Sequence, residues 1–292
     1  MSDRMASSDA GLLGRLLAMP GCDVPGSIAL KSTALRILVP LSLAGELLFE
    51  HKIAPRLFVL VLAWASVSTH WKRPASALLL GVQLAVVAVQ FPVVANHSYL
   101  QLLLLGLCAA LDPDDEREQE LFVQGARWLV VAVLFWSGAK KLYYGTYFHG
   151  EYLAYQVARD ARFSDFFGLF APAEVARLQS YAAAAGTGPY RLGGTSGPLL
   201  VALSNGIWIA EMTVPLLLLW HRTRRFAWIL GLGLLLGIEF VAREAFFGIL
   251  FSGALLSFAG PPLIWRALPW ISALIAVLVA LGFAGYAPEA MS

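Results

Sequence analysis

The sequence has few charged residues and little cysteine. Of its 292 residues 14% are charged and 59% are hydrophobic, and the mean hydropathy is +0.70. Soluble domains carry about 25% charged residues, so this composition predicts an integral membrane protein that contacts the lipid bilayer. A net charge of +2 without a basic tract argues against nucleic-acid binding. Cys22 and Cys108 are far apart and form no CxxC motif, which excludes a disulfide framework and a thiolate metal cluster.

Common catalytic and metal-binding motifs are also missing. The five histidines show neither HxxxH nor HExxH spacing, and the chain has no GxSxG, Walker or GxGxxG sequence. We therefore expect no metal site, no serine-hydrolase nucleophile and no nucleotide-binding loop.

Long apolar runs occupy most of the chain. They lie at residues 33–49, 54–70, 75–95, 98–111, 121–143, 198–220, 226–245, 247–260 and 265–285. Runs of this length predict an all-α polytopic membrane protein, a single domain over residues 1–292 with a bundle of about eight to nine transmembrane helices. The runs at 98–111 and 247–260 are short, and we expect them to tilt or to lie inside the bundle.

Lysines and arginines indicate an orientation. With the N-terminus in the cytoplasm, the basic residues Lys72, Arg73 and Arg127 and the segment 222–225 fall on the cytoplasmic side, as the positive-inside rule requires. Lys52 and Arg56 fall on the other side. This topology places residues 144–197 outside the cell membrane.

Two segments are expected to lie beside the bundle. Residues 1–30 predict an interfacial amphipathic segment rather than a signal peptide, because Arg15 and Pro20 interrupt its apolar patch. Residues 144–197 begin with aromatic residues typical of a membrane interface and contain two short helical stretches, the second at 172–185. They predict a helical cap on the outer face.

Two motifs bring basic side chains next to apolar runs. Asn96–Leu100 reads NHSYL and Ser137–Leu142 reads SGAKKL, and the predicted topology brings both to the outer side. A charge inside the membrane costs at least about 2.5–3.5 kcal/mol, so such residues are either functional or extend to water at a helix end.

The basic residues of these motifs are suited to proton transfer. Lys140 and Lys141 are adjacent, about 100° apart on a helix, so we expect one to face the interior while the other reaches the headgroups. A desolvated lysine loses its proton readily and can act as a general base. His97 can donate or accept a proton near neutral pH, and Asn96 can orient a carbonyl or enolate oxygen.

Several acidic and polar residues also fall within or beside the runs. Glu211 has no partner nearby in the sequence and is a candidate to line a cavity. Glu239 and Arg243 are four residues apart and can neutralise each other on one helix face. The other members of this group are Glu46, Gln83, Gln90, Asn205 and Glu244.

The two motifs, followed by Gly150, resemble the membrane part of vitamin K-dependent gamma-glutamyl carboxylase. They also resemble bacterial proteins that share its horizontally transferred transmembrane (HTTM) domain. The similarity extends to Leu35–Leu38 and, weakly, to Phe251–Pro262.

The resemblance implies a quinol-linked enzyme. In that family a lysine deprotonates a reduced vitamin K quinol, which reacts with O2, and the strong base formed removes a glutamate γ-proton before CO2 adds. By position Lys141 would be the base for a vitamin K- or menaquinol-type quinol, and His97 would act near the acceptor, a peptide or a small molecule. Candidates for binding the quinol or substrate are Asn96, Tyr99, Lys140, Tyr144, Glu211 and Glu239. The expected location is the bacterial inner membrane, with the active site on the extracytoplasmic side.

The sequence departs from the family pattern in three respects. Glu239 stands where a histidine is expected, and Tyr147 or Phe148 replaces a tryptophan before Gly150. The family's large lumenal domain has no counterpart within residues 1–292, so recognition of a protein substrate would depend on residues 144–197 or a partner. Alternative functions are a non-catalytic membrane module for binding or self-protection, and a transporter or quinone-binding carrier.

Overall fold

The computed structural model describes residues 27–49, 56–67, 71–91, 96–145, 147–159, 170–183, 196–242 and 245–259, and the single positions 270, 273 and 277. These residues form helices and short connections, with no strand among them. The helices are α1 (Ser27–Phe49), α2 (Arg56–Val67), α3 (Lys72–Gln90), α4 (Asn96–Ala110), α5 (Glu116–Tyr144), α6 (Glu151–Arg159), α7 (Pro172–Ala183), α8 (Ser196–Leu219), α9 (His221–Ala242) and α10 (Ala245–Leu256).

Local capping sets the length of α5, the helix that carries the lysine motif. At its start the Asp115 carboxylate accepts the backbone N–H of Glu118 at 2.9 Å. At its end Gly145 adopts φ 65°, and its N–H donates to the carbonyl of Lys141 at 3.1 Å. Glycine suits this left-handed position because it has no Cβ to clash with the backbone. Lys141 is therefore held in the last turn of a 29-residue helix.

The structure corrects the expected number of membrane spans. Among the described residues four helices are long and apolar enough to cross a membrane, namely α1, α3, α5 and α8, which is fewer than the eight or nine expected. Helices α2, α4 and α10 have 12, 15 and 12 residues. At 1.5 Å per residue they are shorter than the roughly 30 Å hydrocarbon core. Most of the run at 265–285 lies outside the described residues.

The buried side chains of the main core come mostly from α1, α4, α5 and α10. Its fully buried side chains include Leu35, Leu43 and Phe122, together with Phe251 of α10. Leucine, valine and tryptophan side chains instead cover the outer faces of α2, α3 and α9, as expected where helices meet lipid. The large exposed apolar residues of these faces are Val61, Trp64, Leu78, Leu84, Val89, Phe226, Ile229, Leu230 and Leu236.

Helices α6 and α7 form a small separate core beside the end of α5. Ala154, Val157 and Leu178 are buried between them and pack with Leu200 of α8. These helices correspond to the two short helical stretches expected within residues 144–197. Of the expected interfacial segment 1–30, residues 1–26 lie outside the described part, and Ser27 already begins α1.

Four arginines bind helix C-termini at one end of the bundle, which we call the arginine end. Arg36 and Arg73 donate to carbonyls at the end of α4, at 3.1 and 3.2 Å. Arg127 donates to the carbonyl of Ser257, just after α10, at 2.6 Å, and Arg224 donates to a last-turn carbonyl of α8 at 2.8 Å. These carbonyls have no partner within their own helices, and they carry the negative end of the helix dipole. The arginines therefore offset the negative charge of these helix ends.

Candidate functional site

Lys141 forms a close ion pair with Glu211 where α5 meets α8. The Nζ atom of Lys141 lies 2.5 Å from Oε1 and 2.6 Å from Oε2 of Glu211. Ser137 lies one turn before Lys141 on the same helix face, and its Oγ accepts from Nζ at 3.1 Å. The Ser137 hydroxyl in turn donates to Oε1 of Glu211 at 3.2 Å. Lys141, Glu211 and Ser137, with Tyr147 described below, are called the lysine site.

The charged groups of the lysine site are largely removed from solvent. The side chain of Glu211 is 5% exposed and that of Lys141 is 18% exposed. Desolvation of two charges costs several kcal/mol each, and close pairing with further hydrogen bonds offsets that cost. Lys141 is thus the partner of Glu211, which has no oppositely charged residue near it in the sequence. Seventy positions separate the two residues, so only the packing of α5 on α8 brings them together.

Aromatic side chains stand next to the ion pair. The Tyr147 ring centroid lies 5.1 Å from Nζ of Lys141. Phe148 packs edge-on against Trp208 of α8, with ring centroids 5.8 Å apart. Asn205 of α8 hydrogen-bonds to both Phe148 and Trp208. Its Nδ2 donates to the carbonyl of Phe148 at 3.0 Å, and its Oδ1 accepts from Trp208 Nε1 at 3.0 Å. The turn after α5 is therefore attached to α8 next to the lysine site.

The Tyr147 hydroxyl remains protonated well above neutral pH. Burial raises its pKa above the ordinary value of 10.0, and the nearby Tyr152 and Glu211 raise it further. Burial and neighbouring negative charge both disfavour the phenolate. Tyr147 therefore contributes a neutral aromatic wall and a hydroxyl to the site, and it is not a base at pH 7.

Gly138 lets the two helices approach closely beside the ion pair. A Cβ built on Gly138 would lie 2.6 Å from Met212 Cγ and 3.0 Å from the backbone carbonyl oxygen of Trp208. The methionine side chain can move, but the backbone carbonyl cannot move without shifting α8. A small residue at this position is what allows close helix packing in membranes. Gly138 thus sets the distance across which Lys141 reaches Glu211.

Three other candidates, in or beside the two motifs, are exposed. Lys140 is exposed, and its Nζ lies 5.8 Å from the Trp136 ring centroid, away from Glu211. Tyr144 is 69% exposed and contacts the ring of Tyr143. Tyr99 is also exposed, at 38%. Of this group only Lys141 faces the α5–α8 contact.

The remaining candidates can be located only by their helices. Asn96 and His97 form the start of α4, and Glu239 lies in the last turn of α9. Their side chains fall outside the described part of the chain, as does Arg243. The expected meeting of Lys141 with His97 therefore stays a prediction.

A second buried polar group joins α1, α3 and α4. Gln101 Nε2 donates to Glu46 Oε2, and Gln83 Nε2 donates to Gln101 Oε1 at 3.2 Å and to the carbonyl of Ser98 at 3.3 Å. All three side chains are at most 2% exposed. From Arg36 to Glu46 the rise along α1 is about 15 Å, so this group lies near the middle of the bundle. Gln101 was not singled out in the sequence, although it is one turn beyond His97 on the same helix.

Within the described residues no group of three or more His, Cys, Asp or Glu side chains could hold a metal ion. Ser137 and Tyr147 are site residues whose roles the sequence did not indicate. The sequence did place both residues near Lys141. Ser137 lies four positions before Lys141, on the same helix face, and Tyr147 follows the glycine that ends α5.

Comparison with protein-family models, with curated proteins and with solved structures finds no match for this chain.

Proposed function

We propose that this protein is a membrane-embedded enzyme that deprotonates a lipophilic quinol at the lysine site and couples its oxygen-dependent epoxidation to a second reaction. The observation that carries the proposal is the buried Lys141–Glu211 pair, with its carboxylate 5% exposed, beside the Tyr147 ring. An amine and a carboxylate in contact provide a proton donor and a proton acceptor in a water-poor place. The motif resemblance supports the same chemistry, since it assigns Lys141 the role of base.

The residues around the pair suit a planar, hydroxylated ring. Tyr147, Phe148 and Trp208 provide aromatic surface for stacking, and Lys141 and Glu211 provide polar partners for a hydroxyl. Apolar sites with a few convergent polar groups are typical of small-molecule binding. The long apolar helices are compatible with an isoprenoid tail that enters from the bilayer.

The overall reaction is balanced with O2 as the only oxidant. One quinol and one O2 give one quinone epoxide and one water: one oxygen atom enters the epoxide, and the other leaves as water with the two quinol hydrogens. When bound, the quinol supplies the electrons, and the chain's own residues hold it and accept the hydroxyl proton. Carboxylation of an acceptor, with loss of a C–H proton and addition of CO2, is proposed as the coupled step, with His97 and Asn96 near the acceptor.

We further propose that the lysine site faces the extracytoplasmic side of a bacterial inner membrane. Lys141 lies at the far end of α5 from Arg127, a rise of about 21 Å along the helix. The arginine end, with Lys72 and Arg73, has the basic character of a cytoplasmic face. An acceptor would then approach from the side of α6 and α7.

The test is epoxidation by the purified protein in liposomes. Wild type is supplied with reduced vitamin K- and menaquinone-type quinols under O2, and the epoxide is quantified by mass spectrometry with O2 uptake. Lys141→Ala should lower the rate by about 100-fold or more, the usual contribution of a proton-transfer residue. Lys72→Ala is the matched control, because Lys72 also pairs with an acid, Asp114 at 3.8 Å, but at the arginine end. Absence of epoxide from wild type across these quinols, or an equal loss in both variants, would overturn the proposal.

A non-catalytic binding or self-protection module is the second candidate. It is favoured by the close α5–α8 contact at Gly138, since an ion pair beside such a contact can serve helix packing alone. In that case Lys141→Ala would change thermal stability without removing any activity, and substitutions on α6 and α7 would abolish partner binding.

A further inference from the structure

The last turns of α5 carry one cation among exposed aromatic rings. Trp136, Lys140 and Tyr144 follow one another at intervals of four residues, so they lie on the same side of the helix. Trp136 is 61% exposed and Tyr144 is 69% exposed, and Lys140 is exposed between them. Tyr143, which borders them, is 83% exposed. These four residues are called the lysine–aromatic face.

Lys140 has no acidic partner on this face. Its described contact is with Trp136, whose ring centroid lies 5.8 Å from Nζ. None of the ion pairs among the described residues includes Lys140, although the adjacent Lys141 has one. The positive charge of Lys140 is therefore left for an anion from outside the described part of the chain.

The Lys140 ammonium lies on the inner side of the helix end. Side chains on a helix point toward its N-terminus, and Trp136 is one turn, about 6 Å, nearer the middle of α5 than Lys140. The contact with the Trp136 ring thus places the ammonium toward the apolar part of the helix and not beyond its end. A cation is costly next to hydrocarbon unless an anion pairs with it, and a cation–π contact offsets only part of that cost.

We infer that the lysine–aromatic face binds the phosphate group of an anionic phospholipid. Helix α5 is long and apolar enough to cross a membrane, so its last turns reach the level at which lipid headgroups lie. Tryptophan and tyrosine rings are enriched at the same level, and a lysine ammonium binds phosphate. The inference gives Lys140 a partner other than the quinol, and it does not rest on the proposed function.

The free charge of Lys140 favours a headgroup with a net negative charge. In phosphatidylcholine a choline cation already stands next to the phosphate, whereas the glycerol of phosphatidylglycerol is neutral. One basic residue at an anionic membrane surface contributes about a fivefold gain in affinity. We therefore expect Lys140 to select phosphatidylglycerol over phosphatidylcholine by about that factor.

The test is competition between these two lipids for the purified full-length protein. Protein in detergent is mixed with equal amounts of both lipids, with identical acyl chains, and bound lipids are counted by native mass spectrometry. Lys140→Gln should lower the bound ratio of phosphatidylglycerol to phosphatidylcholine about fivefold, and Lys140→Arg should keep it, because arginine also binds phosphate. Lys72→Gln is the matched control, since it removes the same charge from a lysine that already pairs with Asp114.

Thermal unfolding in detergent provides a second measurement. A lipid that binds the native state raises the Tm. Phosphatidylglycerol should raise the Tm of wild type more than that of Lys140→Gln, while phosphatidylcholine should act equally on both. Trp136→Leu removes the ring and keeps the charge, and its Tm shift should lie between those two. Gel filtration verifies that each variant is folded before lipid is added.

The outcomes decide the inference independently of the proposed function. An unchanged lipid ratio in Lys140→Gln overturns it, and so does an equal fall in Lys72→Gln, which would be an effect of net charge alone. Displacement of phosphatidylglycerol by excess inorganic phosphate would show a site for free phosphate and also overturn it. No quinol is present in either measurement, so these results leave the test of epoxidation untouched.

Discussion

The two ends of the bundle both bury basic side chains, but they give them different partners. At the arginine end Arg127 and Arg224 are each 2% exposed and donate to backbone carbonyls at helix C-termini. At the lysine site Lys141 instead donates to the carboxylate of Glu211. The first arrangement joins a permanent cation to a neutral acceptor, and the second joins a titratable amine to a titratable acid.

This difference indicates which end can do chemistry. A carbonyl oxygen in a helix is not a proton acceptor at ordinary pH, and an arginine does not lose its proton, so these arginine–carbonyl contacts stabilise the fold and do not transfer a proton. An amine and a carboxylate in contact can share and transfer a proton. The contact of Lys141 with Glu211 therefore suits the proton transfer of the proposed function, whereas the contacts of Arg127 and Arg224 with backbone carbonyls do not.

The largest effect is expected when the ion pair of the lysine site is broken on one side. Glu211→Leu leaves the Lys141 ammonium buried without its counter-charge, and we expect a loss of about 3–5 kcal/mol in the free energy of unfolding. The double variant Glu211→Leu/Lys141→Met removes both charges and should recover most of that loss. Unfolding by denaturant in detergent micelles measures all three proteins. A double variant no more stable than Glu211→Leu would show that the unpaired charge is not the cause.

A smaller effect is expected at the arginine end. Arg127→Met removes the donors to the carbonyl of Ser257, a residue that is completely buried. An unsatisfied buried acceptor costs about 1–3 kcal/mol. Arg127→Lys should restore part of the stability, because it keeps a cationic donor. Epoxidation by the folded fraction should be unaffected by either change, and a selective loss of activity in Arg127→Lys would contradict the contrast between the two ends.

The smallest effect at neutral pH is expected for Tyr147→Phe. The folded-state pKa of Tyr147 is raised, so the native state keeps this proton when the unfolded state has lost it. The stabilising contribution is complete below pH 10 and is lost as the pH rises above 10 through the folded-state pKa. Stability profiles from pH 8 to 11 should therefore fall less steeply for Tyr147→Phe than for wild type. Identical slopes would contradict a buried, neutral Tyr147.

Much of the helix pattern was predictable from local sequence. The run predicted at 121–143 lies within α5, which begins earlier with the polar residues 116–120 after the Asp115 cap and ends before Gly145. The stretch predicted at 172–185 became α7, which is described over Pro172–Ala183. Within the described residues fewer helices are long enough to span than the apolar runs predicted, since apolar character alone does not set helix length and α2 and α10 are described over 12 residues each.

The site was predictable only in part. Lys141 and Glu211 were each recognisable as polar groups within apolar runs, but nothing in either run names the other as partner. Lys140 and Tyr144 were predicted to bind the quinol or substrate, yet Tyr144 is exposed and Lys140 lies next to Trp136 and not next to Glu211. Gln101 hydrogen-bonds to Gln83 and Glu46, which lie on two other helices. Such contacts between helices cannot be predicted from the residues next to Gln101 in the sequence.

Composition and spacing by themselves determined that this chain is an apolar helical protein with a lysine in the last turn of a long helix. Those properties depend on hydrophobicity and on backbone capping, which act between residues close in sequence. The partner of Lys141 was decided by tertiary structure alone, because the close approach of α5 and α8 at Gly138 brings Glu211 within 2.6 Å of its amine. Hydrogen bonds and ion pairs depend on distances of a few tenths of an ångström between helices, and only the packed structure sets them.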